Sequence, residues 1–151
     1  RVARDKVAKL GFSERIVLQK GDAENLHTVA DSSIDVVTVA FGVRNFEHLE
    51  KGLSELYRCL KPGGKLVVLE FSIPRNRLIR WVYAQYSHRL LPRIGAMISK
   101  DRQAYDYLPD SIVEFPEPED FLEMMRRAGF TECYRRSQSF GIAQIYIGKK
   151  P

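Results

Sequence analysis

Gly42, Arg44 and Asn45 stand just behind the apolar run Ile34-Asp35-Val36-Val37-Thr38-Val39, which alternates as a half-buried strand does. In an open α/β sheet, ligands collect outside the carboxyl ends of the strands. The octapeptide Ala40-Phe41-Gly42-Val43-Arg44-Asn45-Phe46-Glu47 therefore falls where a small molecule would be handled. Arg44 brings to that place a side chain that stays protonated at any ordinary pH.

Several elements must hold this loop. Residues 1–10 have helical composition and end at Gly11, which suits the left-handed residue that closes a helix. Residues 16–18 read as a short strand, with Gly21-Asp22-Ala23-Glu24 in the loop behind it and Glu24 as a cap for the next segment. The turn cluster Asp31-Ser32-Ser33 leads into a strand over residues 34–39. Leu49, Leu53, Leu56, Tyr57 and Leu60 recur at helical steps, and Lys61-Pro62-Gly63-Gly64 stops that helix and connects it to a buried strand over residues 65–71. Residues 119–128 read as a helix closed by Gly129. Two strands come next, residues 131–137 and 143–149, joined through Ser139-Phe140-Gly141 as an antiparallel hairpin. Strand and helix alternate, so the expected fold is one α/β domain over residues 1–151 with a mostly parallel sheet ending in an antiparallel hairpin. That ending is the terminal signature of a Rossmann-like class I methyltransferase fold.

The chain of 151 residues is 44% hydrophobic, enough for one core. Cys59 and Cys133 lack metal-ligand spacing and read as buried reduced thiols of a cytoplasmic protein. No apolar run reaches the roughly 20 residues of a membrane span, and no signal-peptide pattern opens the chain. His27, His48 and His88 have no ligand-spaced partners, so no metal is expected. The net charge of +5 is uneven: residues 75–102 carry +6, interleaved with Leu78, Ile79, Trp81, Tyr83 and Tyr86. The stretch reads as basic amphipathic helix, suited to packing on a sheet or subunit, or to peripheral contact with an anionic inner-membrane surface. No nucleic-acid-binding motif accompanies it, and nucleic acid is not expected as a partner.

A set of segments together resembles a known family. They are Gly21-Asp22-Ala23-Glu24, Phe41-Gly42-Val43-Arg44-Asn45-Phe46, Leu60-Lys61-Pro62-Gly63-Gly64, Leu69-Glu70-Phe71-Ser72, Tyr105-Asp106-Tyr107-Leu108-Pro109-Asp110-Ser111-Ile112, Phe115-Pro116 and Ala128-Gly129-Phe130. The chain is similar along its whole length to the quinone-biosynthesis C-methyltransferases of the UbiE, Coq5 and MenG type. It departs from them in lacking the first two strands, which in the family carry the Gly-rich cofactor loop and the acidic ribose contact. The resemblance thus implies a carboxyl-terminal fragment. In the family's strand order, 3-2-1-4-5-7-6, that loss leaves the strand at residues 34–39 as an open edge, which a homodimer would cover.

The resemblance further implies S-adenosylmethionine as cofactor and a polyprenylated quinol as substrate, a demethylmenaquinol or its ubiquinone-pathway equivalent, methylated at a ring carbon. It assigns Asp22 and Ala23 to the adenine and Ala40 to close approach of the cofactor. Arg44 becomes the cation beside a forming phenolate and Asn45 the group that orients a hydroxyl or water, while Arg44 is too weak an acid to serve as the base. Alternatively, Arg44 pairs with Glu47 or Glu70 and shapes the loop. Tyr105, Tyr107 and Phe115 are candidates for a lid or quinone pocket, or for aromatics that pack on the basic helices. The competing readings are a non-catalytic dimer-, partner- or membrane-binding module, and a methyltransferase acting on another small-molecule acceptor.

Overall fold

The computed structural model describes residues 2–85 and 111–151. Tyr105, Tyr107 and the part of the basic stretch beyond residue 85 lie outside the described residues.

Helix α1 (Val2–Lys9) ends as its sequence suggests, with Gly11 in the left-handed region at φ +71°. The strand expected at residues 16–18 is not one. Those residues have no regular structure, and Ile16 and Val17 are exposed. A strand is held by pairing with a neighbour, and the sheet offers none here. The segment is fixed instead by turn bonds from the Arg15 and Ile16 amides to the Phe12 carbonyl.

Strand β1 (Ile34–Ala40) runs into a 3-10 turn (Val43–Asn45) and then α2 (Leu49–Cys59), which buries Gly52, Leu53, Leu56 and Cys59 at the three- and four-residue steps of its apolar face. Strand β2 (Leu60–Phe71) starts directly from α2. Lys61-Pro62-Gly63-Gly64 is thus the first part of that strand and not a connection leading into it. Ile34 pairs with Leu60 and Val36 with Lys65, so four residues of β2 bulge against the single Asp35.

Asn76 caps α3 (Arg77–Gln85): its side-chain oxygen accepts from the Leu78 and Ile79 amides at 2.9 and 3.2 Å. After the helical residues 111–114, α4 (Pro118–Arg127) opens on a proline whose missing amide is no loss at a helix start. Strands β3 (Thr131–Gln138) and β4 (Ala143–Lys149) form the antiparallel hairpin read from the sequence.

The sheet is open and mixed, in the order β1-β2-β4-β3, with β1 parallel to β2 and the other two pairings antiparallel. This matches the 4-5-7-6 half of the implied family order, and among the described residues β1 and β3 are its edges. Leu66 and Val68 of β2, Tyr146 of β4, Leu53 and Leu56 of α2, and Phe121, Leu122 and Met125 of α4 make the core on one face. Among the described residues no helix is long and apolar enough to cross a membrane.

The Tyr146 hydroxyl is buried without a hydrogen-bond partner. Tyr146→Phe removes that unsatisfied group, so stability is expected to rise by about 1 kcal/mol, read as a higher urea midpoint at unchanged slope. Burial also pushes the Tyr146 phenol above its ordinary value. The unfolded chain therefore loses that proton first, and stability falls as pH rises beyond about 10. The phenylalanine variant lacks this share of the alkaline decline.

Candidate functional site

The carboxyl ends of β1 and β2 lie side by side. Ala40 pairs with Leu69, and the Phe41 amide donates to the Leu69 carbonyl at 2.8 Å. The chain leaving β1 then turns over the end of β2, which brings Arg44 to Glu70. The Arg44 Nη1 donates to Glu70 Oε1 at 2.7 Å and to the Phe41 carbonyl at 2.7 Å, and Nε donates to Ser111 Oγ at 3.3 Å. The Glu70 side chain is fully buried and that of Arg44 is 8% exposed. Glu70 Oε1 also accepts the Phe71 amide at 3.0 Å. Of the two expectations for Arg44, the pairing with Glu70 is realised. It leaves Nη2 with no hydrogen bond among the described residues. Asn45 ends the 3-10 turn beside it and is itself engaged in an interaction.

Aromatic rings wall the same place. Phe41 stacks on Phe71 with centroids 4.4 Å apart, and the Arg44 guanidinium lies 5.7 Å from the Phe71 centroid. Phe41 holds φ +55°, a left-handed conformation costing a residue with a side chain about 1–3 kcal/mol. The stack and the ladder bond keep it there. Phe115 packs on Phe121 and lines a small cavity with Phe71, Ser72 and Ile112.

Asp22 and Ala23 lie in a separate loop. Asp22 Oδ1 accepts the Glu24 amide at 2.9 Å, and the Asn25 amide donates to the Asp22 carbonyl at 3.0 Å. No hydrogen bond, ion pair or ring contact joins this loop to Arg44. Glu24 does not cap the segment after it: Oε1 accepts the His48 amide at 3.0 Å, at the N-cap of α2. Glu55 Oε2 accepts the Leu26 amide at 2.9 Å, and Arg58 donates to the Leu26 and Val29 carbonyls, each at 3.0 Å. The Arg58 hydrogen bond to Glu55 holds that carboxyl below its ordinary value. The loop is thereby fastened to α2, and the second Asp22 oxygen and the Ala23 amide have no hydrogen-bond partner among the described residues.

Residues 1–150 match the ubiE/COQ5 methyltransferase family. The chain belongs to this family. It is 46% identical over 149 residues to the ubiquinone/menaquinone biosynthesis C-methyltransferase UbiE of Geobacter sulfurreducens, covering 99% of this chain and 57% of that protein. It is 44% identical to the demethylmenaquinone methyltransferase of Bacteroides fragilis, covering 99% and 60%. The chain thus spans somewhat over half the length of these UbiE/COQ5 relatives. A solved SAM-dependent methyltransferase from Thermotoga maritima, a possible histamine N-methyltransferase, superposes with a TM-score of 0.61 at 22% identity, covering 97% of this chain and 70% of that one. That likeness shows a shared fold.

Within this UbiE/COQ5 member, sequence reading found Arg44 and named Glu70 as one of two acids that could pair with it. Glu70 had its signal in the alternation of β2, since an acid in the inward register of a strand this apolar is buried and needs a partner. Ser111 and Phe71 stood inside quoted motifs, but only the fold brings them to Arg44. The hold of Glu55 and Arg58 on the Asp22 loop gave no sequence signal, because an acid and a base three apart on a helix are an ordinary surface pair.

Proposed function

We propose that this chain is the carboxyl-terminal, acceptor-side part of an S-adenosylmethionine-dependent enzyme that C-methylates the ring of a polyprenylated quinol. The observation that carries the reading is the Arg44 guanidinium, held on three acceptors beside the carboxyl ends of β1 and β2 with Nη2 unbonded among the described residues. A phenolic ring carbon becomes nucleophilic as the phenol loses its proton. A fixed donor aimed at the oxygen favours that charge without reorganising. Arg44 Nη2 would donate to the forming phenolate, Asn45 would orient a hydroxyl or water, and Phe71 with Phe115 would wall the ring. A water or another group takes the proton, since a guanidinium does not give one up.

The residues present fit the cofactor. The open Asp22 oxygen can accept from an exocyclic amine, the unpartnered Ala23 amide can donate to a ring nitrogen, and Ala40 offers only a methyl at the end of β1. S-adenosylmethionine supplies the activated methyl group, and this chain supplies position and electrostatics. Asp22→Ala is expected to weaken S-adenosylmethionine binding about tenfold, the loss of one hydrogen bond to a charged group. Calorimetric titration checks this, and an unchanged dissociation constant removes the adenine assignment.

Two contacts accompany the reading. The open edge of β1 is suited to a further strand, from the rest of a longer chain or from a second copy in a homodimer. On α3, exposed Leu78 and Trp81 beside Arg75 and Arg77 suit an anionic membrane surface. The test of the function is turnover of the intact protein with prenylated demethylmenaquinol and with its tail-less analogue. A strong preference for the prenylated quinol supports the reading, and equal use of both favours a different small acceptor.

A further inference from the structure

An arginine has five N–H donors, and Arg44 commits three: Nε to Ser111 Oγ, and both Nη1 hydrogens to Phe41 O and Glu70 Oε1. These acceptors hold the guanidinium at Nε and at Nη1, and Nη2 makes no hydrogen bond among the described residues. Glu70 is the charged member of that set and has no exposure of its own. Its Oε1 binds the Phe71 amide, which ties the pin to the strand whose ring lies beside the guanidinium. A buried carboxylate within ion-pair distance also offsets the field of the Arg44 charge.

We infer that Glu70 is the positioning residue of this site: it fixes the Arg44 plane so that Nη2 is left for the substrate oxygen, and its negative charge moderates how strongly Arg44 stabilises the phenolate. The inference rests on the reading of Arg44 given above and adds to it the residue that sets the strength of that stabilisation. With Glu70 ionised, the guanidinium is half of a near-neutral pair. Its contribution to the phenolate then comes from a directed hydrogen bond more than from net charge.

The experiment uses Glu70→Gln in the intact protein, which keeps an acceptor oxygen and the side-chain volume and removes the charge. Without the opposing carboxylate, Arg44 favours the phenolate more strongly, so the acid limb of the kcat/KM profile is expected to move down by about one pH unit, with KM for S-adenosylmethionine unchanged. An unmoved limb overturns the moderating role, because a residue that only supports the fold changes stability and not that ionisation. A second measurement needs no activity. Nitrogen-15 spectra of wild type should give separate Arg44 Nη1 and Nη2 signals from hindered rotation, and rotation in Glu70→Gln should be about tenfold faster for loss of a charge-assisted bond. One averaged wild-type signal overturns the pinning. If the protein methylates no quinol, the proposed function fails by itself, and the spectra still decide the role of Glu70.

Discussion

Arg44→Ala in the intact protein should lower kcat by about 10²- to 10³-fold, the usual loss when one preorganised donor to a developing oxyanion is removed. S-adenosylmethionine affinity should hold, because no bond joins the Arg44 cluster to the Asp22 loop. Lysine should rescue little. A compact ammonium cannot span the Phe41 carbonyl, Ser111 and Glu70 while still presenting an outward donor. The change also leaves the Glu70 carboxylate buried without its cation, so some loss of stability accompanies it. Turnover is therefore read on protein shown to be folded, and near-normal kcat there would remove Arg44 from the chemistry.

Gly64→Ala should destabilise the fold by about 3 kcal/mol, the upper end of what overpacking does. A Cβ at Gly64 would stand 2.8 Å from the Lys61 carbonyl oxygen and 3.0 Å from the Asp35 carbonyl oxygen, and backbone atoms on both sides of a ladder cannot yield as a side-chain tip can. Gly63, at φ +79° with open space around it, is a useful contrast. There Asn should be tolerated at a cost of about 1 kcal/mol, because only the left-handed conformation is at stake. Urea denaturation of both variants checks the pair. Equal midpoints would mean that conformation, not crowding at the bulge, explains the Gly-Gly step.

These glycines show which parts of the fold could be read in the sequence. Local signals carried through: the alternation of residues 34–39, the helical steps of Leu49, Leu53 and Leu56, the glycines after α1 and α4, and the closing hairpin all depend on short-range periodicity and turn chemistry. Non-local facts did not. Residues 16–18 have a strand's composition, but a strand exists only with a neighbour. The Lys-Pro-Gly-Gly segment looks like a stop in sequence and becomes a bulge because Asp35 lies opposite it. The site divides in the same way. Arg44 and Asn45 stood out because polar groups behind an apolar strand are conspicuous, and Asp22 because it sits in a turn. Of the clamp on Arg44, Glu70 was one of the two acids named as a partner, whereas the Phe41 carbonyl and Ser111, 67 positions from Arg44, are brought in only by the fold.

The measurement that bears most directly on the proposed chemistry is transfer of a carbon-13 methyl from labelled S-adenosylmethionine to demethylmenaquinol by the intact protein, with the product read by carbon NMR. The account predicts a labelled methyl on a ring carbon with wild type and almost none with Arg44→Ala. A label on a ring oxygen, or equal labelling by both proteins, would contradict it.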